Sequence, residues 1–149
     1  MNKNKLMNPV EFFDILKENT INYKGKYEIL IKNSASIYQL LSELLDSNKL
    51  HRDHRALISS TIAYFILPRD IYPEEIYGAK GYIDDIYLCL YSLSIIKKEY
   101  GISILREHWK GPSQLLSQLL NKEYPVLDKE LNHILPKMLD YVGINPAMK

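Results

Sequence analysis

The chain has almost no cysteine, no surplus of either charge and no long uninterrupted apolar run, and each shortage removes a class of explanation. A lone Cys89 excludes an internal disulfide framework and a cysteine zinc cluster, and it suits a reducing compartment, the cytoplasm being the simplest. Lysine and arginine number 19 against 18 acids, so no global field announces nucleic acid or an anionic membrane as partner. The longest apolar stretches, near 56–67 and 86–96, fall short of the ~20 residues a spanning helix needs. The N-terminal MNKNKLMNPVEFF lacks the apolar run of a signal peptide. Segments that join β-branched residues to strict alternation are missing too, which leaves a sheet without strands.

At 149 residues, what is present suits a single helical domain, residues 1–149, around one core. Asn8-Pro9-Val10-Glu11 reads as a helix start with a capping residue, a proline where no N–H is needed and a capping-box acid; that helix runs to about Glu18. A second helical piece is expected within Tyr23 to Asn33, weakened by Gly25. Ile37, Leu40, Leu41, Leu44 and Leu45 share one helical face, so an amphipathic helix extends from Ser34 or Ser36 to about Ser47. From His54 to Leu67 the chain is apolar nearly all round, which predicts a central helix buried on more than one side and ended by Pro68. Ile83, Ile86, Tyr87, Leu90, Tyr91 and Leu93 predict the helix that packs antiparallel to it and closes near Gly101.

Further along, the expectation is a helix over Ser103 to Lys110, a break at Gly111-Pro112, a helix over Ser113 to Asn121 and another break near Pro125. The last helix reaches about Val142 and is kinked where Pro136 frees the Asn132 carbonyl. Its stripe of Leu127, Leu131, Ile134, Leu135, Met138, Leu139 and Val142 reads as core; the other use of such a stripe is a partner groove or a membrane surface. The fold class is therefore all-α, a compact bundle of about six to seven helices.

Between the two central helices lies LPRDIYPEEIYGAKGYIDD, Leu67 to Asp85, with two prolines, two glycines and five carboxylates. As a structural corner it explains itself. Asp70 accepts N–H groups from the turn at Pro73, Asp84 and Asp85 occupy a first helical turn where the dipole favours anions, and Gly78 and Gly81 supply backbone freedom. Neighbouring helical positions diverge by about 100°, so one of Asp84 and Asp85 should point inward and the other outward. As a functional site, Asp70, Glu74, Asp84 and Asp85 offer the oxygens that a hard divalent cation takes. His51 and His54 would add nitrogens if their end folded against the corner.

Twelve tyrosines are a heavy load. Tyr64, Tyr72, Tyr77, Tyr82, Tyr87, Tyr91 and Tyr100 lie in or beside this region, through compositional bias or as a recognition surface of apolar rings with polar tips. Exposed Tyr72, Tyr77 and Tyr82 would make a docking surface. Elsewhere, Cys89 is a small core residue, Ser59 and Ser60 lack a nucleophile-elbow pattern, and Lys97, Lys98, Arg106 and Lys110 come without a nucleic-acid motif.

The spaced set Ala63-Tyr64, Pro68, Asp70, Pro73-Glu74, Gly81 and Asp84-Asp85 resembles the YkvA-like family, the domain of unknown function DUF1232, over about residues 44–93. The C-terminal helices, 103–149, form an extension outside it. Glu74 stands where that family usually has aspartate, and Lys80 makes this copy more polar than its relatives. The resemblance implies a helical fold and brings no established activity or cofactor. The expected function is that of a small soluble binding, adaptor or regulatory protein with no cofactor. Its partner would be another protein or a second copy, with no nucleic acid. The alternatives are a divalent-cation protein or metal-dependent enzyme, and a module in peripheral contact with a membrane. The candidate residues are Pro68, Asp70, Tyr72, Pro73, Glu74, Tyr77, Gly81, Tyr82, Asp84 and Asp85.

Overall fold

The structure is a computed structural model that describes residues 9–66 and 82–143, with side chains from Phe12 onward. Within it α1 (Pro9–Thr20), α2 (Glu28–Lys32), α3 (Ser34–Leu45), α4 (Arg52–Ile66) and α5 (Ile83–Tyr100) follow in order. α6 (Ile102–His108), α7 (Ser113–Gln118), α8 (Tyr124–Leu131) and α9 (Leu135–Tyr141) complete the described chain. No strand occurs among the described residues, so the all-α expectation holds. Asn8, the expected cap of α1, and the segment 67–81 lie outside the described residues.

The second helical piece is confined to Glu28–Lys32 because the residues before it leave helical geometry: Gly25 has φ 136° and Tyr27 has φ 63°. Tyr27 is the only non-glycine residue with positive φ among those described. It is held there from outside, since its hydroxyl donates to Glu130 on α8, which also pairs with Lys26 at 3.0 Å. α3 forms as its apolar spacing requires, with Ile37, Leu40, Leu41 and Leu44 buried. Phe12 of α1, Tyr38 of α3 and Phe65 of α4 meet edge to face, with ring centroids 5.1, 5.4 and 5.8 Å apart. That geometry adds to plain burial.

The central pair is antiparallel and cross-linked by three polar rungs. Tyr64 meets Asp84 at one end, Thr61 Oγ1 and Ser92 Oγ lie 2.7 Å apart in the middle, and His54 meets Tyr100 at the other end. The helix enclosed on all sides over its first three turns is α5, not α4. Every residue from Tyr82 to Leu93 is buried, because α2, α3, α4, α6 and α8 all pack on α5. On α4, by contrast, Arg52, Asp53, Arg55, Ala56, Ser59 and Ala63 remain exposed, and the small size of Ala56, Ser59 and Ala63 leaves that face shallow.

Gly101, at φ 89°, closes α5 in a conformation that side chains with a Cβ rarely adopt. Trp109 then tucks under the next turn and donates its indole N–H to the Pro112 carbonyl at 2.9 Å. A Cβ at position 111 would stand 2.9 Å from that ring, which is why glycine occupies the expected break.

The break expected near Pro125 does not occur. A π-helical turn, Leu119–Glu123, joins α7 to α8, and the Tyr124 N–H reaches back to the Leu119 carbonyl. Proline lacks a donor and its ring strikes the carbonyl four residues earlier in an α-helix; one wide turn removes both conflicts. It also rephases the helix so that Leu116, Leu119, Leu120 and Leu127 all face inward. At Pro136 the helix does change: a 3₁₀ turn, Asn132–Ile134, precedes α9. The C-terminal stripe packs into the core, with Leu127, Met138 and Leu139 at 0–1 % exposure and Leu135 and Val142 partly buried against it. Among the described residues no helix is long and apolar enough to cross a membrane.

Candidate functional site

The described foot of the corner is built where α4 ends and α5 begins. Tyr64, buried in the last turns of α4, donates its hydroxyl to Asp84 Oδ2 at 3.0 Å. Asp84 and Asp85 are both buried, at 0 % and 1 % exposure, which overturns the expectation that one would face solvent. Neighbouring helical positions diverge, but the first turns of α5 are enclosed on every side, so both directions lead into protein. Burying two neighbouring carboxylates is costly unless hydrogen bonds and charges compensate. The first turn of α5, at the positive end of the helix dipole, is where that cost is lowest.

Tyr82 is likewise buried, at 5 % exposure, so it is not the exposed docking residue the sequence suggested. Its hydroxyl accepts from Asn19 Nδ2 at 3.2 Å, and its ring lies 6.0 Å from that of Phe65. α1 is thereby tied to the same foot. Tyr141 of α9 closes the outside, its ring 5.6 Å from Tyr64 in edge contact while half of its own surface stays exposed.

The structure separates the two halves of the suggested cation site. His51 and His54 sit at the start of α4, where the Tyr100 hydroxyl accepts the His51 backbone N–H at 2.8 Å and lies 2.8 Å from His54 Nδ1. Tyr100 ends α5, whereas Asp84 and Asp85 begin it. Sixteen residues of helix separate these ends by ~24 Å, at 1.5 Å per residue, so the histidines cannot share an ion with the acids. Among the described residues no three or more His, Cys, Asp or Glu side chains gather as metal ligands. Pro68, Asp70, Tyr72, Pro73, Glu74, Tyr77 and Gly81 lie outside the described residues.

The remaining neighbours of the corner are core. Tyr87 donates to Asp128 Oδ1 at 2.6 Å and stacks on Tyr124 with centroids 6.2 Å apart. Burial, and then the Asp128 carboxylate, push the Tyr87 phenol far up, and burial pushes Tyr124 up to about 12. Tyr91 is buried as well. Cys89 is enclosed, and burial raises its thiol well above its ordinary value, which keeps it from acting as a thiolate.

Sequence reasoning missed the Asn19–Tyr82, Tyr141–Tyr64 and Asp128–Tyr87 contacts. For Asp128 a signal existed: an acid standing among Tyr124, Leu127 and Leu131 on an otherwise apolar stripe marks a buried polar partner.

The fold and the buried acid foot define a small all-helical protein organised about one enclosed helix. The family model described as "Protein of unknown function (DUF1232)" matches residues 54–91, a span from the start of α4 through the corner to the middle of α5. The chain is also 30 % identical over 131 residues to "Uncharacterized protein ORF9" of Methanothermobacter thermautotrophicus, which covers 88 % of this chain and 89 % of that protein. The chain belongs to the DUF1232 family. No solved structure matches it.

Proposed function

We propose that this is a soluble cytoplasmic binding protein, an adaptor or regulatory subunit, folded as one domain, whose contact element is the corner 67–81. The supporting observation is the inward commitment of Tyr82, Asp84 and Asp85. These residues serve as the foot of the corner, so the acid motif has a structural purpose that needs no catalysis. What the sequence leaves in 67–81, namely Asp70, Tyr72, Pro73, Glu74 and Tyr77, is the chemistry of a contact surface: aromatic bodies with polar tips, carboxylates, and prolines that reduce the entropy lost on binding. The test compares proteins captured by the wild type with those captured by a Tyr72→Ala/Tyr77→Ala variant that keeps its helical circular dichroism. A partner held by the first and lost by the second is expected. Identical capture by both refutes the assignment of the corner.

A second reading draws on the same foot, because two adjacent buried carboxylates are also what a divalent cation would use. An ion present at 100 times its Kd would stabilise the fold by ~2.7 kcal/mol, a shift of several degrees in Tm for a chain of this size. A Tm that rises with Mg²⁺ or Ca²⁺, and no longer does so in Asp84→Asn, would put the cation reading ahead. Unchanged melting with chelator and with either ion refutes it.

A further inference from the structure

α4 carries its exposed face into an open groove of about 560 Å³ lined by Leu45, Leu50, Arg52, Arg55, Ala56 and Ser59. The four α4 residues follow the spacing of a single helical face, and Leu45 and Leu50 come from the end of α3 and the loop behind it. Arg55 is partly engaged, its guanidinium donating to the Leu45 and Ser47 carbonyls that end α3. Arg52 is exposed beside it. Among the described residues no carboxylate lines the groove; Asp46 and Asp53, the nearest acids in sequence, are exposed outside it. The volume lies within the ~300–1,000 Å³ of ligand pockets, which suits several side chains rather than one ion. An apolar floor with two guanidinium groups at its rim selects a segment in which apolar residues alternate with acids.

This chain contains such a segment. Asp70-Ile71-Tyr72-Pro73-Glu74-Glu75-Ile76-Tyr77 has three carboxylates and no cation, with four large apolar or aromatic side chains between them. It departs from Ile66 and rejoins at Tyr82, both at the far end of α4. The groove runs from ~10 Å (Ser59) to ~21 Å (Arg52) away along the helix, at 1.5 Å per residue. Position 74 is eight residues from either end, and eight residues span at most ~27 Å when fully extended. Only a taut out-and-back run would bring those carboxylates to Arg52 at the far end of the chain's own groove, whereas a second molecule's groove is under no such constraint.

We propose that the groove at the start of α4 receives the acidic, tyrosine-bearing corner of a second copy of this chain. The proposal rests on the corner being the contact element and names its receptor. Each copy offers one groove and one corner, so the contact is head-to-tail and continues beyond a pair unless a ring closes. Charge pairs at the rim make it sensitive to salt.

Sedimentation velocity across a wide protein concentration range tests this. The wild type should associate with rising concentration and less so at high salt. Arg52→Glu should weaken association about tenfold or more, a ΔΔG near 1.4 kcal/mol. It should do so without loss of fold, because an acid in the first helical turn suits the dipole. Glu74→Lys/Glu75→Lys should weaken it similarly. An equimolar mixture of the two variants should recover association, since each groove then meets a corner of opposite charge. A synthetic peptide of residues 68–79 should bind wild-type protein and bind Arg52→Glu about tenfold less tightly, a readout that survives if the corner variant misfolds. A wild type that stays monomeric throughout, an Arg52→Glu variant that associates like the wild type, or a mixture that fails to recover overturns the proposal. If the wild type is monomeric while corner variants still lose a captured protein, the self-docking inference falls and the contact role of the corner stands.

Discussion

Replacing Tyr64 by phenylalanine removes one hydroxyl and nothing else. The ring keeps its edge contact with Tyr141 and its place in the core, so no cavity term enters. What is lost is a buried 3.0 Å hydrogen bond to the Asp84 carboxylate, with Tyr64 at 2 % and Asp84 at 0 % exposure. Hydrogen bonds to charged groups contribute ~1.5–3 kcal/mol, so Tyr64→Phe should cost about 2 kcal/mol. With an unfolding entropy near 2.1 cal/mol/K per residue, 149 residues convert that to a fall in Tm of roughly 6 °C. The assay is thermal and urea unfolding followed by circular dichroism, closed into a double-mutant cycle with Asp84→Asn. Coupling of at least ~1 kcal/mol is expected, against the ~0.3–0.5 kcal/mol within which independent sites add. An unchanged Tm, or two losses that simply add, refutes the claim that Tyr64 holds the foot of the corner.

Two other outcomes follow from burial. Asp85→Ala should destabilise as much as Asp84→Ala, each by ~1–3 kcal/mol in urea unfolding; a neutral Asp85→Ala would show that its carboxylate is solvated. At alkaline pH the sign is set by Tyr124, whose phenol is raised from 10.0 to about 12, chiefly by burial. The unfolded chain loses that proton first, so the stabilisation is complete below pH ~10 and disappears as pH rises towards ~12. Ultraviolet phenolate titration should show a fraction of the tyrosines, Tyr124 and Tyr87 among them, ionising only well above pH 10, and full ionisation near 10 with native circular dichroism intact would contradict it.

Local chemistry was enough to read most of the helices in this protein. The spacing of Ile37, Leu40, Leu41 and Leu44 defined α3, the apolar pattern from Ile83 closed at Gly101, and Gly111-Pro112 marked a break, because each depends only on residues within a few turns of one another. The family motif was legible for the same reason: its Pro, Gly and Asp residues are fixed points in one continuous stretch. Coverage was not legible. Periodicity says which residues share a face, but how many faces are covered depends on helices that arrive from distant parts of the chain. The elements packed on α5 turn both Asp84 and Asp85 inward, α1 buries Tyr82 against Asn19, and α4 is left as the central helix with an open side. The same ignorance of neighbours put a break at Pro125, where inward-facing leucines on both sides are served by a single π turn instead. His51 and His54 looked close enough to join the acids only until the antiparallel pairing of α4 and α5 set them at opposite ends of the same helices.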